Sequence, residues 1–281
     1  MMREDIAAAL AKYVAEHPQN TITDAQAISP QDVGEHMYEA PIIAIGDAAD
    51  PLWAELKNPL AVGPLFKTPE EWLPGARRVI SYFAPFSEYV RRGNEADPVR
   101  VGNGWLYARV DGQRFLNEVN HFLESLLIQA GYQALSPYSS PAFQQVFAAG
   151  SNPDLADKRL SFTSNWSERH VAYLCGLGTF GLSKGLITAK GVSGRFGSVI
   201  TDAELPCDSR PYTGLYDYCI MCGKCARNCP AHAISLEQGK LHPPCSEYVS
   251  ESSKAYAPRF GCGKCQVNVP CERGIPNPKY R

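Results

Sequence analysis

The stretch Cys219-Ile-Met-Cys222-Gly-Lys-Cys225-Ala-Arg-Asn-Cys229-Pro230 decides how the C-terminal part of the chain folds. Its spacing, C-x2-C-x2-C-x3-C-P, is typical of segments that hold four-iron clusters. Two residues between successive thiolates let three of them surround one cube-shaped cluster, and Gly223 lets the backbone approach its sulfides. The fourth cysteine, followed by proline, is turned away, and we expect it to ligate a second cluster.

Four cysteines further along the chain can complete two clusters. A single zinc ion would need only four ligands, usually in two separated pairs, so the pattern favours iron–sulfur. We apply the exchange of two-cluster ferredoxins, in which the fourth cysteine of a run binds the other cluster. The predicted ligands are then Cys219, Cys222, Cys225 and Cys271 for one cluster, and Cys229, Cys245, Cys262 and Cys265 for the other. The last group is spaced C-x2-C-x5-C, which makes Cys271 the ligand that the pattern specifies least.

Composition excludes several classes of protein. The 281 residues are 44% hydrophobic and 20% charged, which is typical of a globular chain, and the net charge of −2 argues against a broad nucleic-acid surface. No run of about 18 apolar residues indicates a membrane span. The first residues carry charges where a signal peptide has an apolar core, so we expect a cytoplasmic protein. None of the ten cysteines precedes Cys175, unlike those of a secreted disulfide scaffold.

Upstream of the cysteines, helical and strand patterns alternate. Apolar spacing predicts helices over 3–17 and 112–130 and one that begins after Ser167, whose hydroxyl can cap it. Strands are predicted at 41–45, 78–83, 185–188 and 196–201, with a polar connection over 91–104. We expect a layered α/β (α+β) domain over residues 1–205, followed by a second domain over 206–281 with a hairpin at 233–241.

A glycine-rich segment matches the motif of dinucleotide-binding sites and has to be interpreted separately. Gly176-Leu-Gly178-Thr-Phe-Gly181 matches G-x-G-x-x-G, but a dinucleotide site needs this loop to follow a strand and open a helix. Here a helical pattern precedes the loop and a strand pattern follows it. We therefore interpret it as a helix C-cap whose bare backbone allows core residues or a flat cofactor to come close.

Several segments resemble one known family. Ser167-Glu-Arg-His-Val-Ala-Tyr-Leu-Cys-Gly-Leu-Gly-Thr-Phe-Gly181, Gly197-Ser-Val-Ile-Thr-Asp-Ala-Glu-Leu-Pro206 and Trp72-Leu-Pro-Gly-Ala-Arg-Arg-Val-Ile80, with the cysteine run, are similar to epoxyqueuosine reductases, relatives of reductive dehalogenases. The resemblance implies a nitroreductase-like domain that holds base-off cobalamin and a ferredoxin-like domain with two 4Fe-4S clusters. One cluster would deliver electrons to cobalt, and the Co(I) state would reduce a substrate.

The resemblance also implies site residues. Tyr107 falls where the family has an aromatic residue in its substrate pocket; it could donate a proton, or it could be a core residue. Arg169 and His170 could face the cofactor or water, and Arg195 could meet a phosphate, a corrin amide or solvent. The positions that the resemblance assigns to cofactor binding are Arg169, His170, Gly176, Gly178, Gly181, Arg195, Gly197 and Ser198.

One departure from the family bears on the substrate. Phe162 stands where the tRNA-acting members have an aspartate proton donor, and no helical-repeat extension follows Cys271 in this sequence. We therefore expect a small molecule or a corrinoid as the electron acceptor, an external electron donor, no membrane and no action on tRNA. Two alternatives stay open: an electron-transfer protein that reduces a corrinoid or a partner enzyme, and a flavin-containing nitroreductase-like protein.

Overall fold

The computed structural model describes residues 2–147 and 162–280, so residues 148–161 of the expected first domain lie outside the described residues. The helices are α1 (Arg3–Glu16), α2 (Leu52–Glu55), α3 (Pro69–Trp72), α4 (Glu88–Glu95), α5 (Asn103–Gln129), α6 (Glu168–Cys175), α7 (Lys224–Arg227) and α8 (His242–Tyr256). The strands are β1 (Ile42–Asp47), β2 (Arg78–Pro85), β3 (Ala134–Leu135), β4 (Gln145–Phe147), β5 (Phe162–Ser164), β6 (Gly178–Phe180), β7 (Leu186–Thr188), β8 (Gly194–Thr201), β9 (Ile234–Ser235) and β10 (Gly239–Lys240).

A four-stranded antiparallel sheet in the order β1-β2-β8-β3 organises the first 205 residues. Strand β2 lies at its centre and is buried on both faces, as its continuous apolar run predicts. Ile80 and Tyr82 point into a core formed with α1 and α5, whereas Val79 and Phe83 point into a second core formed with α6. The chain is therefore layered, with helices on both faces of an antiparallel sheet, which is the α+β form of the expected class.

Two local predictions are wrong in their boundaries. Helix α5 begins at Asn103 rather than at Gly112, and its first turns bury Trp105, Leu106 and Tyr107. Gly112 lies inside the helix, where a Cβ would lie 2.7 Å from the Tyr38 hydroxyl, so this glycine marks a close contact and not a helix end. The expected polar connection over 91–104 contains most of α4, whose Ser87 cap accepts a hydrogen bond from Val90 N at 3.3 Å. The polar residues of α4 predicted an exposed connection, but one of them, Asn94, is fully buried in the helix.

Helix α6 ends as the glycine pattern predicts. Gly176 adopts the left-handed conformation with φ of 100°, and strand β6 follows instead of a helix. The interpretation as a helix C-cap is confirmed. Ser167 precedes α6, but its hydroxyl bonds His170 Nδ1 at 2.7 Å and does not cap the backbone.

The cysteine-rich segment packs along α4, α5 and β7. Its hairpin of β9 and β10 forms as expected, and Val192 N donates to Cys271 O at 2.9 Å. The buried Lys264 ammonium donates to the Asn94 carbonyl at 2.7 Å. These contacts fix the cysteines relative to the sheet.

Candidate active site

Neighbouring thiols connect the cysteines within each of the two predicted ligand groups, whose ligation stays a prediction. The thiol of Cys271 lies near those of Cys219, Cys222 and Cys225, and burial followed by these neighbouring thiolates raises the pKa of Cys271 to about 12. Ile187, Val192 and Val269 cover this group, which we call the outer quartet. Its backbone is unusual, since Met221 and Gly223 both have positive φ, 52° and 67°.

The second group, the inner quartet, comprises Cys229, Cys245, Cys262 and Cys265. Burial, opposed by the backbone N–H of Lys264 and reinforced by the thiolates of Cys265 and Cys245, raises the pKa of Cys262 to about 11. Burial also raises the pKa of Cys265, which lies near Cys245 and Cys229. The two quartets lie next to each other. Burial raises the pKa of Cys225, and the nearby thiolate of Cys265, a member of the inner quartet, raises it further.

The chemistry of both quartets fits iron–sulfur clusters. Each offers four sulfur atoms and no oxygen or nitrogen ligand, and all-thiolate sets suit iron–sulfur clusters and zinc. Within residues 2–147 and 162–280, no three His, Cys, Asp or Glu side chains are close enough together to hold a single metal ion. The assignment of individual ligands stays a prediction.

A large cavity lies between the sheet domain and the cysteine-rich segment. Its volume is about 800 Å³. Helices α5 and α6, strand β8 and the 3-10 turn Pro137–Ser139 supply one side, and Lys240, His242 and Gln266 of the cysteine-rich segment supply the other. Pockets of this size are typical of sites for small molecules or cofactors.

Three arginines give the cavity a positive wall. Arg195 donates to Gln113 Oε1 at 2.7 Å and to the Arg109 carbonyl at 3.0 Å, and Arg169 donates to the Lys184 carbonyl at 3.1 Å. None of the three forms an ion pair with a carboxylate of the described residues. Burial and the nearby charge of Arg195 lower the pKa of Arg109 to about 10 and also lower that of Arg169. The wall therefore favours an anionic ligand.

Polar atoms without partners concentrate at the same cavity. Arg109 Nε, Glu168 Oε1 and Gln266 Oε1 are shielded from solvent and have no hydrogen-bond partner in the part of the chain that the structure describes. All three residues line the cavity. Since buried polar groups are normally satisfied, this wall is arranged to meet a polar ligand.

Two titratable side chains of α6 have strongly shifted pKa values. Burial raises the pKa of Glu168 to about 7, although Ser198 donates to its Oε2 at 2.7 Å. Burial, with the charges of Arg169 and Lys184, lowers the pKa of His170 to about 4. At neutral pH the imidazole is therefore uncharged, and the carboxyl group of Glu168 is close to half protonated.

The inner quartet lies next to this cavity. The thiolates of Cys245 and Cys265 act on the pKa of Arg169, and those of Cys245 and Cys262 act on that of Arg109. Gln266 lines the cavity and directly follows Cys265. A cluster on the inner quartet would therefore be the redox centre beside the cavity.

The structure places the predicted site residues in two sets. Arg169, His170 and Arg195 line the cavity. Tyr107, on α5, is buried in the core, where it donates to Asp32 Oδ2 at 2.9 Å and lies outside the cavity wall. Ser198 is fully buried and bonds two residues of the cavity wall, Glu168 and Trp166.

The predicted glycines also lie outside the cavity wall and meet the protein itself. A Cβ on Gly176 would lie 2.8 Å from Ser209 O, one on Gly178 2.0 Å from Ile187 O, and one on Gly181 3.2 Å from Ile187 Cδ1. A Cβ on Gly197 would lie 2.3 Å from the Tyr82 hydroxyl. These glycines are explained by packing of the chain on itself.

Arg109, Tyr138, Glu168 and Gln266 are among the cavity residues that were not predicted from the sequence. Arg109 lies one helical turn before Gln113 on α5, and Tyr138 lies in a short turn with no recognisable motif. Glu168 stands in the segment Ser167–Gly181 that carries the family resemblance. Its position at the start of a helix is usual for a surface glutamate, so only its burial distinguishes it.

Comparison with known proteins shows which fold this chain shares. Residues 215–235 match the family model of a 4Fe-4S binding domain. A stretch of 69 residues is 44% identical to the tetrachloroethene reductive dehalogenase of Desulfitobacterium hafniense; it covers 24% of this chain and 12% of that protein. An epoxyqueuosine reductase solved with an epoxyqueuosine-modified tRNA stem loop superposes with a TM-score of 0.52 at 16% identity, over 98% of this chain and 70% of that one. The chain has the fold of the epoxyqueuosine reductases and reductive dehalogenases.

Two dehalogenase structures extend the comparison. A catabolic reductive dehalogenase in complex with 3-bromo-4-hydroxybenzoic acid gives a TM-score of 0.51 at 15% identity, over 97% of this chain and 37% of that one. A reductive dehalogenase with a mechanism for B12-dependent dehalogenation gives 0.50 at 17% identity, over 84% and 30%. The chain thus spans well under half the length of these dehalogenases. Among its described helices, none is long and apolar enough to cross a membrane.

Proposed function

We propose that this protein is an iron–sulfur, cobalamin-dependent reductase of a small molecule. Residues 1–205 would hold the cofactor and substrate, and residues 206–281 would carry two 4Fe-4S clusters. The observation that carries the proposal is the cavity of about 800 Å³ whose positive wall adjoins the inner quartet of cysteines. A redox centre beside a ligand-sized cavity is the arrangement that a reductase needs.

The positions of the two quartets support one direction of electron flow. The outer quartet adjoins the molecular surface, where Met221 is exposed and Cys222 lines a shallow depression with Lys224 and Arg227. The inner quartet adjoins both the outer quartet and the cavity. Electrons from an external donor would therefore enter at the outer cluster and reach the cavity through the inner one.

The cavity residues fit a corrinoid in their chemistry. Cobalamin carries a phosphate, which Arg195 or Arg169 could bind, and side-chain amides, which Gln266 Oε1 and Arg109 Nε could meet. When bound and reduced, cobalamin supplies a strongly nucleophilic metal centre. His170 stays uncharged in the same wall. Binding in the base-off state rests on the family resemblance and on the dehalogenase of the same fold that is described as B12-dependent.

Two observations favour a small molecule over tRNA as substrate. The unpaired arginines lie inside the cavity, whereas RNA binding requires a basic outer surface, and the chain has a net charge of −2. Phe162 lines the cavity and stacks on His242 with ring centroids 5.8 Å apart, so it offers a nonpolar surface where the resembling family has an acid. An aromatic acid would pair its ring with Phe162 and its carboxylate with the arginines.

Cofactor analysis tests the proposal. Anaerobically reconstituted protein is expected to contain about eight iron and eight sulfide per chain. Added cobalamin should shift to the base-off spectrum, and the reduced holoprotein should release bromide from 3-bromo-4-hydroxybenzoate. Three outcomes would contradict the proposal. Flavin in the purified protein would favour the flavin-containing alternative, and intact clusters without cobalamin binding would favour the electron-transfer protein. Turnover of epoxyqueuosine-containing tRNA would show that tRNA is the substrate.

A further inference from the structure

The Glu168 carboxyl group is shielded from solvent at Oε1 and does not stabilise the fold through an ion pair among the described residues. Its Oε2 accepts a hydrogen bond from the Ser198 hydroxyl at 2.7 Å, and the Trp166 side chain is the other hydrogen-bonding group that acts on its pKa. Ser198 is itself fixed, because it accepts a hydrogen bond from the Trp166 indole N–H at 2.9 Å. The carboxyl group is thus held in one orientation with Oε1 left unpartnered at the cavity.

A structural carboxylate in this position would be expected to pair with an arginine. Arg109, Arg169 and Arg195 all line the same cavity, yet Arg169 and Arg195 donate to amide or backbone oxygens, and the Arg109 guanidinium lies over the Phe260 ring, 4.7 Å from its centroid. Tyr82 and Tyr138 lie near Glu168 from the sheet and from the turn before β4, and Cys175 lies near it from the other end of α6. None of these three groups is charged near neutral pH, so no charged neighbour among them holds Glu168 ionised; the hydrogen bonds of Ser198 and Trp166 favour the ionised form but are outweighed by burial.

We propose that Glu168 is the acid that delivers a proton to the reduced substrate in this cavity. The proposal rests on the reductase function above and adds the group that this chain uses in place of the acid missing at position 162. Phe162 and Glu168 line the same cavity, so an acid six residues later along the chain serves the same space.

The step balances with an external two-electron donor. Two electrons arrive through the clusters, one carbon–heteroatom bond of the substrate breaks, and the leaving group departs as an anion. A carbon–hydrogen bond forms with the proton from the Glu168 carboxyl group, and Glu168 then takes a proton from water in the cavity. The arginines stabilise the departing anion.

Burial supports this role, because it raises the pKa of Glu168 to about 7. An acid with a pKa near the working pH combines a large protonated fraction with a strong tendency to donate. Ser198 acts as a positioning residue: its hydrogen bond favours the ionised form, so removal of its hydroxyl should raise the pKa of Glu168 further.

The first test needs no turnover. Infrared difference spectra of the holoprotein between about pH 5 and pH 9 should show a protonated carboxyl band that disappears near neutral pH. The Glu168 component is the part lost in Glu168→Gln, and Glu272, whose pKa burial also raises to about 7, supplies a component that remains. Ser198→Ala should move the midpoint of the Glu168 component to higher pH. Identical carboxyl bands at about pH 6 in the unaltered protein and in Glu168→Gln would overturn the proposal.

The second test uses bromide release from 3-bromo-4-hydroxybenzoate by the reduced holoprotein. Glu168→Gln should lower kcat by about 10²–10⁴-fold and leave cluster reduction and cobalamin binding intact. In the unaltered protein kcat should fall as pH rises through the pKa of Glu168, and Ser198→Ala should shift that fall upward. Glu4→Gln, which changes an exposed carboxylate in the first turn of α1 outside the cavity wall, is the matched control and should behave like the unaltered protein.

The outcomes separate the two proposals. Equal kcat values and pH profiles in Glu168→Gln and the unaltered protein would overturn the role of Glu168 and leave the reductase function standing. No turnover by the unaltered protein would contradict the reductase function itself, and the role of Glu168 with it.

Discussion

Replacement of Asn94 by alanine should loosen the segment that carries the inner quartet. The Asn94 side chain is fully buried, and its Nδ2 donates to the Cys262 carbonyl at 2.9 Å. Its Oδ1 accepts hydrogen bonds from Lys264 Nζ and Gly102 N, both at 3.0 Å. The variant keeps the bond from Lys264 to the Asn94 carbonyl but loses all three side-chain bonds.

The magnitude follows from the groups left without partners. The Gly102 N–H and the Cys262 carbonyl are half-buried, and each unsatisfied group costs about 1–3 kcal/mol. Because water can reach them partly, we take the lower part of the summed range, about 2–4 kcal/mol in the free energy of local opening. At about 1.4 kcal/mol for each factor of ten, the opened population rises roughly 30- to 1,000-fold.

Hydrogen exchange of the reconstituted protein measures this directly. Peptides that span residues 259–267 should exchange faster by that factor in Asn94→Ala, whereas peptides of the central sheet should not change. Asn58→Ala is the control, since Asn58 Oδ1 accepts one exposed bond from Leu60 N at 2.9 Å, and its loss should have little effect. Acceleration of less than about 5-fold in residues 259–267 would refute the reasoning from unsatisfied groups.

Three further predictions concern the clusters, a close contact and pH. Cys245→Ala and Cys271→Ala should each lower the iron content from about eight to about four, and they should remove different cluster signals; a single signal lost in both would contradict the two quartets. Gly178→Ala should destabilise the fold by at least about 2 kcal/mol, because its Cβ would meet Ile187 O at 2.0 Å, whereas Gly93→Ala in open space should be neutral or stabilising. Because the folded pKa of Glu168 is raised from 4.5 to about 7, its contribution to stability is present below pH 4.5 and is lost as pH rises through 7. Glu168→Gln should therefore gain stability relative to the unaltered protein by roughly 2–3 kcal/mol between pH 5 and pH 8, as measured by denaturant unfolding; a constant difference would show that the pKa is not raised.

The sequence predicts the local elements better than the cavity. Thiolate spacing and the glycine C-cap are local signals; the left-handed Gly176 confirms the C-cap, and the cysteine grouping stays a prediction. Burial of Asn94 and Glu168 depends on residues far away in the chain, such as Cys262 and Ser198, which no local pattern brings together. Gly197 is a second example. Its sequence context indicates that another group comes close to this glycine, and the fold shows that the group is the Tyr82 hydroxyl.

The central claim is that the inner cluster reduces a corrinoid in the cavity beside it. Electron paramagnetic resonance of the reconstituted protein, loaded with cobalamin and titrated with reductant, tests that claim most directly. We predict a base-off Co(II) signal without nitrogen splitting, whose relaxation is accelerated once the inner cluster is reduced and is not accelerated in Cys245→Ala. A cobalt signal that keeps its nitrogen splitting, or that relaxes as in free solution at every stage of the titration, would contradict the account.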